Sequence, residues 1–202
     1  RFFNKGSMLN SALSIICDEH RSLAAVVQGM QYLVGEYARG RLAPDFPLLH
    51  AIVAYLEEFP QSLHHPKEEA FLFERLQLRT RTADSIIAEL RRQHVHDASL
   101  VAALHVALER FEAGQNDGLA AFSKAASDYS DGILPHMALE EASLLPLACR
   151  HLSGEDWVEI GVAFGANGDP RFTGDAEAGF ADLFRRIVAL AAPGRPDGNR
   201  NF

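Results

Sequence analysis

Apolar residues recur at intervals of three and four across residues 9–38, LNSALSIICDEHRSLAAVVQGMQYLVGEYA, at Leu13, Ile16, Leu23, Val26, Val27, Met30, Leu33 and Val34. That spacing gathers them on one stripe of a helix, and a stripe this long has to be buried against other helices. The pattern is not unique to this stretch. A second helix is predicted over about 45–78, with Pro60 and Pro66 inside it. A third is opened by Thr82 or Asp84 as a cap and closed by Gly114, with a stripe through Ile86, Ile87, Leu90, Leu100, Val101, Leu104, Leu108 and Phe111. A fourth covers about 117–151 and is interrupted by Pro135. Four long helices with short connections predict an all-α fold, an antiparallel up-down four-helix bundle over residues 8–152.

Ser153 is placed to cap a short helix over 154–166, and a further amphipathic helix is expected over about 175–191. These one or two short C-terminal helices form an extension, residues 153–192, that packs on the bundle or at a homodimer contact. Residues 1–7, ahead of Met8, read as an expression remnant, and 193–202 as a frayed tail. The 202 residues are 48% hydrophobic and 23% charged, enough for one buried core. Net charge is −8 with the basic residues scattered, which argues against nucleic acid as a partner. No apolar run approaches the roughly 20 residues of a membrane span, and no signal core opens the chain, so a cytoplasmic protein is expected. Cys17 and Cys149 are too few for a disulfide framework or a zinc ribbon.

The nine histidines are the unusual count. HHPKEEAFLF (64–73) has a near copy in HMALEEASLL (136–145). In each, a histidine is followed four residues later by the first of two glutamates, then by a pair of large apolar residues. The register pairs His64 with His136 and Glu68 with Glu140, and residues four apart share a helix face. A fainter echo links DEHRSLAAVV around His20 to RQHVHDASLV around His94. His20 lies 44 residues before His64 and His94 lies 42 before His136, so the chain reads as two copies of one helical hairpin.

Packed together, the hairpins bring His20, His64, Glu68, His94, His136 and Glu140 to one region of the core. Six buried polar groups each cost several kcal/mol unless they are paired or coordinated. Nitrogen and oxygen donors without cysteine suit iron, manganese or zinc, and two carboxylates shared between histidine pairs suit two ions. His65 and Glu69 form the same HxxxE pair, so the choice of His64 and Glu68 rests on the repeat register. On a regular helix His65 and His96 face away from the proposed ligands. Glu69 and Glu141 read as surface groups or as partners of the outer imidazole nitrogens. His50, His105 and His151 read as surface residues and Cys17 as a core residue near the site. Pro66 and Pro135, close to the ligands, are expected to widen the bundle there.

These residues carry a resemblance. His20, HHPKEEAFLF, QHVHD and HMALEEASLLPLA are similar to the pattern of bacterial hemerythrin-like proteins, the family named for its His-His-Glu cation-binding domain, over about residues 9–152. The resemblance implies two non-haem iron ions with an oxo or hydroxo bridge, and roles in binding oxygen or nitric oxide, in iron handling and in stress responses. Oxygen carriers of the family place an HxxxH pair on the third helix and a late HxxxxD, giving five histidines. Here Ala98 stands four residues after His94 and Glu141 five after His136, so the fifth histidine is missing from its expected place. The remaining set resembles di-iron proteins implicated in iron-centre repair and nitric oxide protection, whose N-terminal cysteine segment has no counterpart here. The expected function is binding or sensing of oxygen, nitric oxide or peroxide. The alternatives are a di-iron catalyst acting on peroxide, nitric oxide or damaged iron centres, and a helical interaction module with a structural metal.

Overall fold

A computed structural model describes residues 5–166 and 185–186. It is all-helical among those residues: α1 (Lys5–Ala38), α2 (Phe46–Glu58), π1 (Phe59–His64), α3 (His65–Lys67), π2 (Glu68–Phe73), α4 (Glu74–Arg79), α5 (Asp84–Glu112), α6 (Gly118–Leu139), π3 (Glu140–Leu144), α7 (Leu145–His151) and α8 (Gly154–Gly165). No helix among them is long and apolar enough to cross a membrane. The helix expected over 175–191 lies outside the described residues except for Arg185 and Arg186, which are helical.

The helix ends follow from local chemistry. Gly40 (φ 66°) and Gly114 (φ 68°) take the left-handed conformation just beyond α1 and α5, where Arg41 N donates to Glu36 O and Gln115 N donates to Arg110 O. The Asp45 carboxylate accepts from Leu48 N at 3.0 Å and caps α2. Neither Thr82 nor Asp84 caps α5: the residue at that position is Ala83, whose buried methyl packs in the core, and no side chain bonds the helix end. Gly118 lets α6 start against the end of α5, since a Cβ there would meet Phe111 Cα at 2.6 Å.

Two apolar clusters fill the interior. One holds Leu23, Val26, Met30, Leu33, Leu48, Ile52, Leu56, Phe59, Val101, Leu104, Phe122, Tyr129 and Ile133. The other holds Ala12, Ile16, Leu72, Phe73, Leu76, Ile87, Leu90, Leu144, Leu145, Ala148, Trp157, Ile160 and Phe164. The chain passes from the second cluster to the first along α1, back along 46–79, forward again along α5 and back along 118–151. Each crossing falls at a histidine: His20 lies between Ile16 and Leu23, His64 between Phe59 and Leu72, His94 between Leu90 and Val101, His136 between Ile133 and Leu144. A band of buried histidines and carboxylates therefore separates two apolar cores.

The helix α8 packs along α1 and contributes Trp157, Ile160 and Phe164 to the second cluster. Ser153 and Asp156 form a capping box at its start. Arg79 reaches Asp156 with two nitrogens, at 2.9 and 3.0 Å, and Arg75 pairs with Glu159.

Candidate metal centre

Three π-helical turns shape the site. The first, π1, ends with His65 N bonded to Pro60 O, five residues back, and π3 ends with Leu145 N bonded to Glu140 O in the same way. A proline follows each at once, Pro66 and Pro146. A proline ring clashes with the carbonyl four residues before it in a regular helix, and a turn widened to five moves that carbonyl aside. Pro135 sits inside α6, five residues ahead of π3.

The widened turns correct the sequence reading of His65. On an α-helix successive side chains diverge by about 100°, which would send His65 outward when His64 points in. Between π1 and π2 both are buried, with 2% and 4% of their surface exposed. His65 stacks on the His94 ring at 4.0 Å between centroids and 13° between planes. His65 is thus a fifth histidine buried in the band beside the four that the repeat register selects. His96, by contrast, is exposed.

Two sets of donor atoms result, each within 4.8 Å of one another. His20, His64, Glu68 and Glu140 form one; His65, Glu68, His94 and His136 form the other. Glu68 belongs to both: its Oε1 lies 3.0 Å from His64 Nε2 and its Oε2 lies 3.3 Å from His94 Nε2. Glu140 Oε2 lies 3.2 Å from His20 Nε2 and 3.9 Å from His136 Nε2. All seven residues are buried. Phe59 and Phe164 pack on the His64 ring and Phe73 stacks on His94, walling the site with apolar surface.

The outer imidazole nitrogens decide the chemistry of the inner ones. His20 Nδ1 meets Glu141 Oε1 at 2.9 Å, and His64 Nδ1 meets Glu19 Oε2 at 2.7 Å. His94 Nδ1 meets Glu69 Oε1 at 3.0 Å, and His136 Nδ1 meets Gln93 Oε1 at 2.9 Å. Arg91 donates in turn to Glu69 Oε2 at 2.7 Å. These oxygens accept, so each Nδ1 carries a hydrogen, and a ring in its neutral form turns an Nε2 lone pair inward. His20 Nε2 and His64 Nε2 stand 3.1 Å apart. Two lone pairs at that separation repel unless a proton or a cation lies near them.

The buried carboxylates raise the same demand. Both oxygens of Glu68 and of Glu140, and the Nε2 atoms of His94 and His136, have no hydrogen-bond partner. Burial opposes a charge on His20, yet the adjacent carboxylates of Glu140 and Glu141 outweigh it and raise its pKa to about 9. His64 is raised as well, burial again being overcome by Glu68 and Glu19. Burial and the neighbouring His94 push His65 down, and burial takes His136 down to about 4. Burial and the charge of Glu68 raise Glu140 to about 7. The cluster as a whole attracts positive charge. The residues therefore fit a metal pair: inward lone pairs, acceptor-held outer nitrogens and partnerless carboxylates.

The sequence reading missed Glu19 and Gln93. Glu19 directly precedes His20 and holds a different histidine, His64, across the helix contact. Gln93 directly precedes His94 and holds His136. A polar residue just before each ligand of the first and third helices was the available signal. His50 pairs with Glu112 and His105 with Glu57 at the surface, away from the centre.

A family model described as the hemerythrin HHE cation binding domain matches residues 11–148. No curated protein and no solved structure gives a significant match.

Proposed function

The chain belongs to the hemerythrin HHE cation-binding domain family, and on that premise we propose that it holds two non-haem iron ions that bind or sense a small ligand: oxygen, nitric oxide or peroxide. One ion takes His20 and His64, the other takes His65, His94 and His136, and Glu68 with Glu140 completes the set. Manganese or zinc would suit the same nitrogen and oxygen donors. The order in which the helices cross from one apolar cluster to the other supports an antiparallel up-down four-helix bundle over residues 8–152, with α8 as an extension on its side. A cytoplasmic location suits the two free cysteines.

The observation that carries the reading is the fixed direction of four imidazoles, each Nδ1 held by an acceptor so that Nε2 faces the partnerless carboxylates. Iron held there would supply reversible electron transfer and a coordination position for a small ligand. The protein supplies the rest. Glu19, Glu69, Glu141 and Gln93 hold the rings in one orientation, and Phe59, Phe73 and Phe164 exclude water. Each set offers four residues, so an ion in either would keep room in its coordination shell for a small ligand.

Metal content by mass spectrometry, read with an absorption spectrum before and after nitric oxide, tests the reading. About two irons per chain and a spectrum that responds are expected. A protein that takes up no metal after anaerobic reconstitution with ferrous iron refutes it. Metal that ignores nitric oxide, oxygen and peroxide reduces the centre to a structural one, and repeated turnover with a reductant would make the protein a catalyst.

A further inference from the structure

Between α5 and α6, outside the histidine band, a pocket of about 450 Å³ is lined by Gln93, His96, Asp97, Asp128, Asp131 and Gly132 among others. Its most buried polar group is Asp97, 1% exposed, whose Oδ2 has no hydrogen-bond partner. Gly132 leaves open space over the other oxygen of this carboxylate: a Cβ there would sit 2.9 Å from Leu100 Cδ1 and 3.4 Å from Asp97 Oδ1. Asp128 and Asp131 add acidic groups. Arg92 also lines the pocket but pairs with Glu89, and Lys124 pairs with Asp128 itself, which leaves Asp97 and Asp131 as the pocket's carboxylates without a cation among the described residues.

A buried carboxylate oxygen without a partner is costly unless a cation or a donor meets it. Among the described residues no third group of ligating atoms converges here as tightly as those of the centre. The pocket thus suits an ion that keeps most of its water and touches one or two carboxylates, as magnesium-like divalent ions do. Such an ion with about six waters needs roughly 180 Å³, at about 30 Å³ per water, which the cavity accommodates.

We propose that this pocket is an accessory cation site, taking a hydrated divalent metal ion on Asp97 with Asp128 and Asp131 as outer carboxylates. Its position suggests a use. Gln93 lines the pocket and also accepts from His136 Nδ1, so one side chain separates the hydrated ion from the histidine band. The site would stage ions for the centre, a role that rests on the metal reading above, whereas binding in the pocket does not.

The test is amide line broadening by Mn²⁺ on the full chain, first loaded with zinc, freed of excess and assayed for zinc content. Mn²⁺ is expected to broaden the Gly132 and Leu100 amides selectively. Asp97→Asn should weaken that effect about tenfold or more, since affinity at an oxygen site follows its carboxylate charge. The exposed-rim variant Asp131→Asn should weaken it without disturbing the fold, and Asp18→Asn, an equal charge change on α1, should leave it intact. Absence of broadening at Gly132, or broadening equal in wild type and Asp97→Asn, overturns the proposal. The zinc assay reports on the centre separately: a zinc-filled protein without the Gly132 effect refutes the pocket alone. Broadening at Gly132 in a protein that holds no zinc supports the pocket and counts against the centre.

Discussion

Replacing Glu19 by leucine should weaken metal binding without touching any proposed ligand. The carboxylate accepts from His64 Nδ1 at 2.7 Å, and both side chains are almost fully buried, at 4% and 2% exposure. Leucine of similar volume leaves the Nδ1 hydrogen with no acceptor and frees the ring to take the other tautomer, which points a hydrogen at the metal position. An unsatisfied buried donor costs about 1–3 kcal/mol. Loss of an outer partner of a ligating histidine lowers metal affinity by about 10–100-fold, which corresponds to about 1.4–2.7 kcal/mol. The two estimates overlap because the same bond is lost. Glu19→Gln retains a carbonyl acceptor and removes only the charge, so its loss should sit near the lower end. The assay is chelator competition for zinc and for ferrous iron, with the melting temperature of the metal-free protein as a control for folding. Retention within about twofold of wild type by a folded Glu19→Leu protein would show that the outer nitrogen does not set the direction of the inner one.

Three other outcomes are expected. His65 and His64 each belong to a donor set, so His65→Asn and His64→Asn should each cost more metal affinity than the roughly 10–100-fold lost with an outer partner, measured by the same competition; a smaller loss at either would contradict its place as a ligand. Burial raises the Asp156 pKa but Arg79 and Ser153 outweigh it, leaving about 2 against an ordinary 3.8; the stabilisation is complete above the ordinary value and lost as pH falls toward the folded one. Trp157, the single tryptophan, should therefore report loosening of α8 between about pH 4 and pH 2, and Asp156→Ala should remove that transition at a cost of about 1–2 kcal/mol. Gly118→Ala places a methyl 2.6 Å from Phe111 Cα and should destabilise the fold by about 1–3 kcal/mol in urea; an unchanged midpoint would mean that the α5–α6 turn yields.

The helix stripes and most helix ends are legible in the sequence because they depend on spacing within one element. The α5 cap is not, since Thr82 and Asp84 both look suitable and tertiary burial of Ala83 decides the boundary. Within the candidate site, His20, His64, Glu68, His94, His136 and Glu140 all fall in the two donor sets, which share Glu68 but not Glu140, so the symmetric sharing of both carboxylates that the repeat suggests is not reproduced. His65 escapes that logic because it assumes regular α-helical phase, and Pro66, which marks the departure, reads in the sequence only as a place of widening. Glu19 and Gln93 act across helix contacts, on histidines far from them in sequence, so no motif along one helix could assign their partners.

Each π turn inserts the equivalent of one surplus residue into an otherwise continuous helix. Removing a single residue from π1 would restore ordinary winding there and rotate everything beyond it by about 100°. Leu72, Phe73 and Leu76 would then leave the second apolar cluster together with His65. Length variation in descendants of this sequence should therefore collect in the connections 39–45, 80–83 and 113–117, while the run from Phe59 to Arg79 keeps a fixed residue count even where its composition drifts.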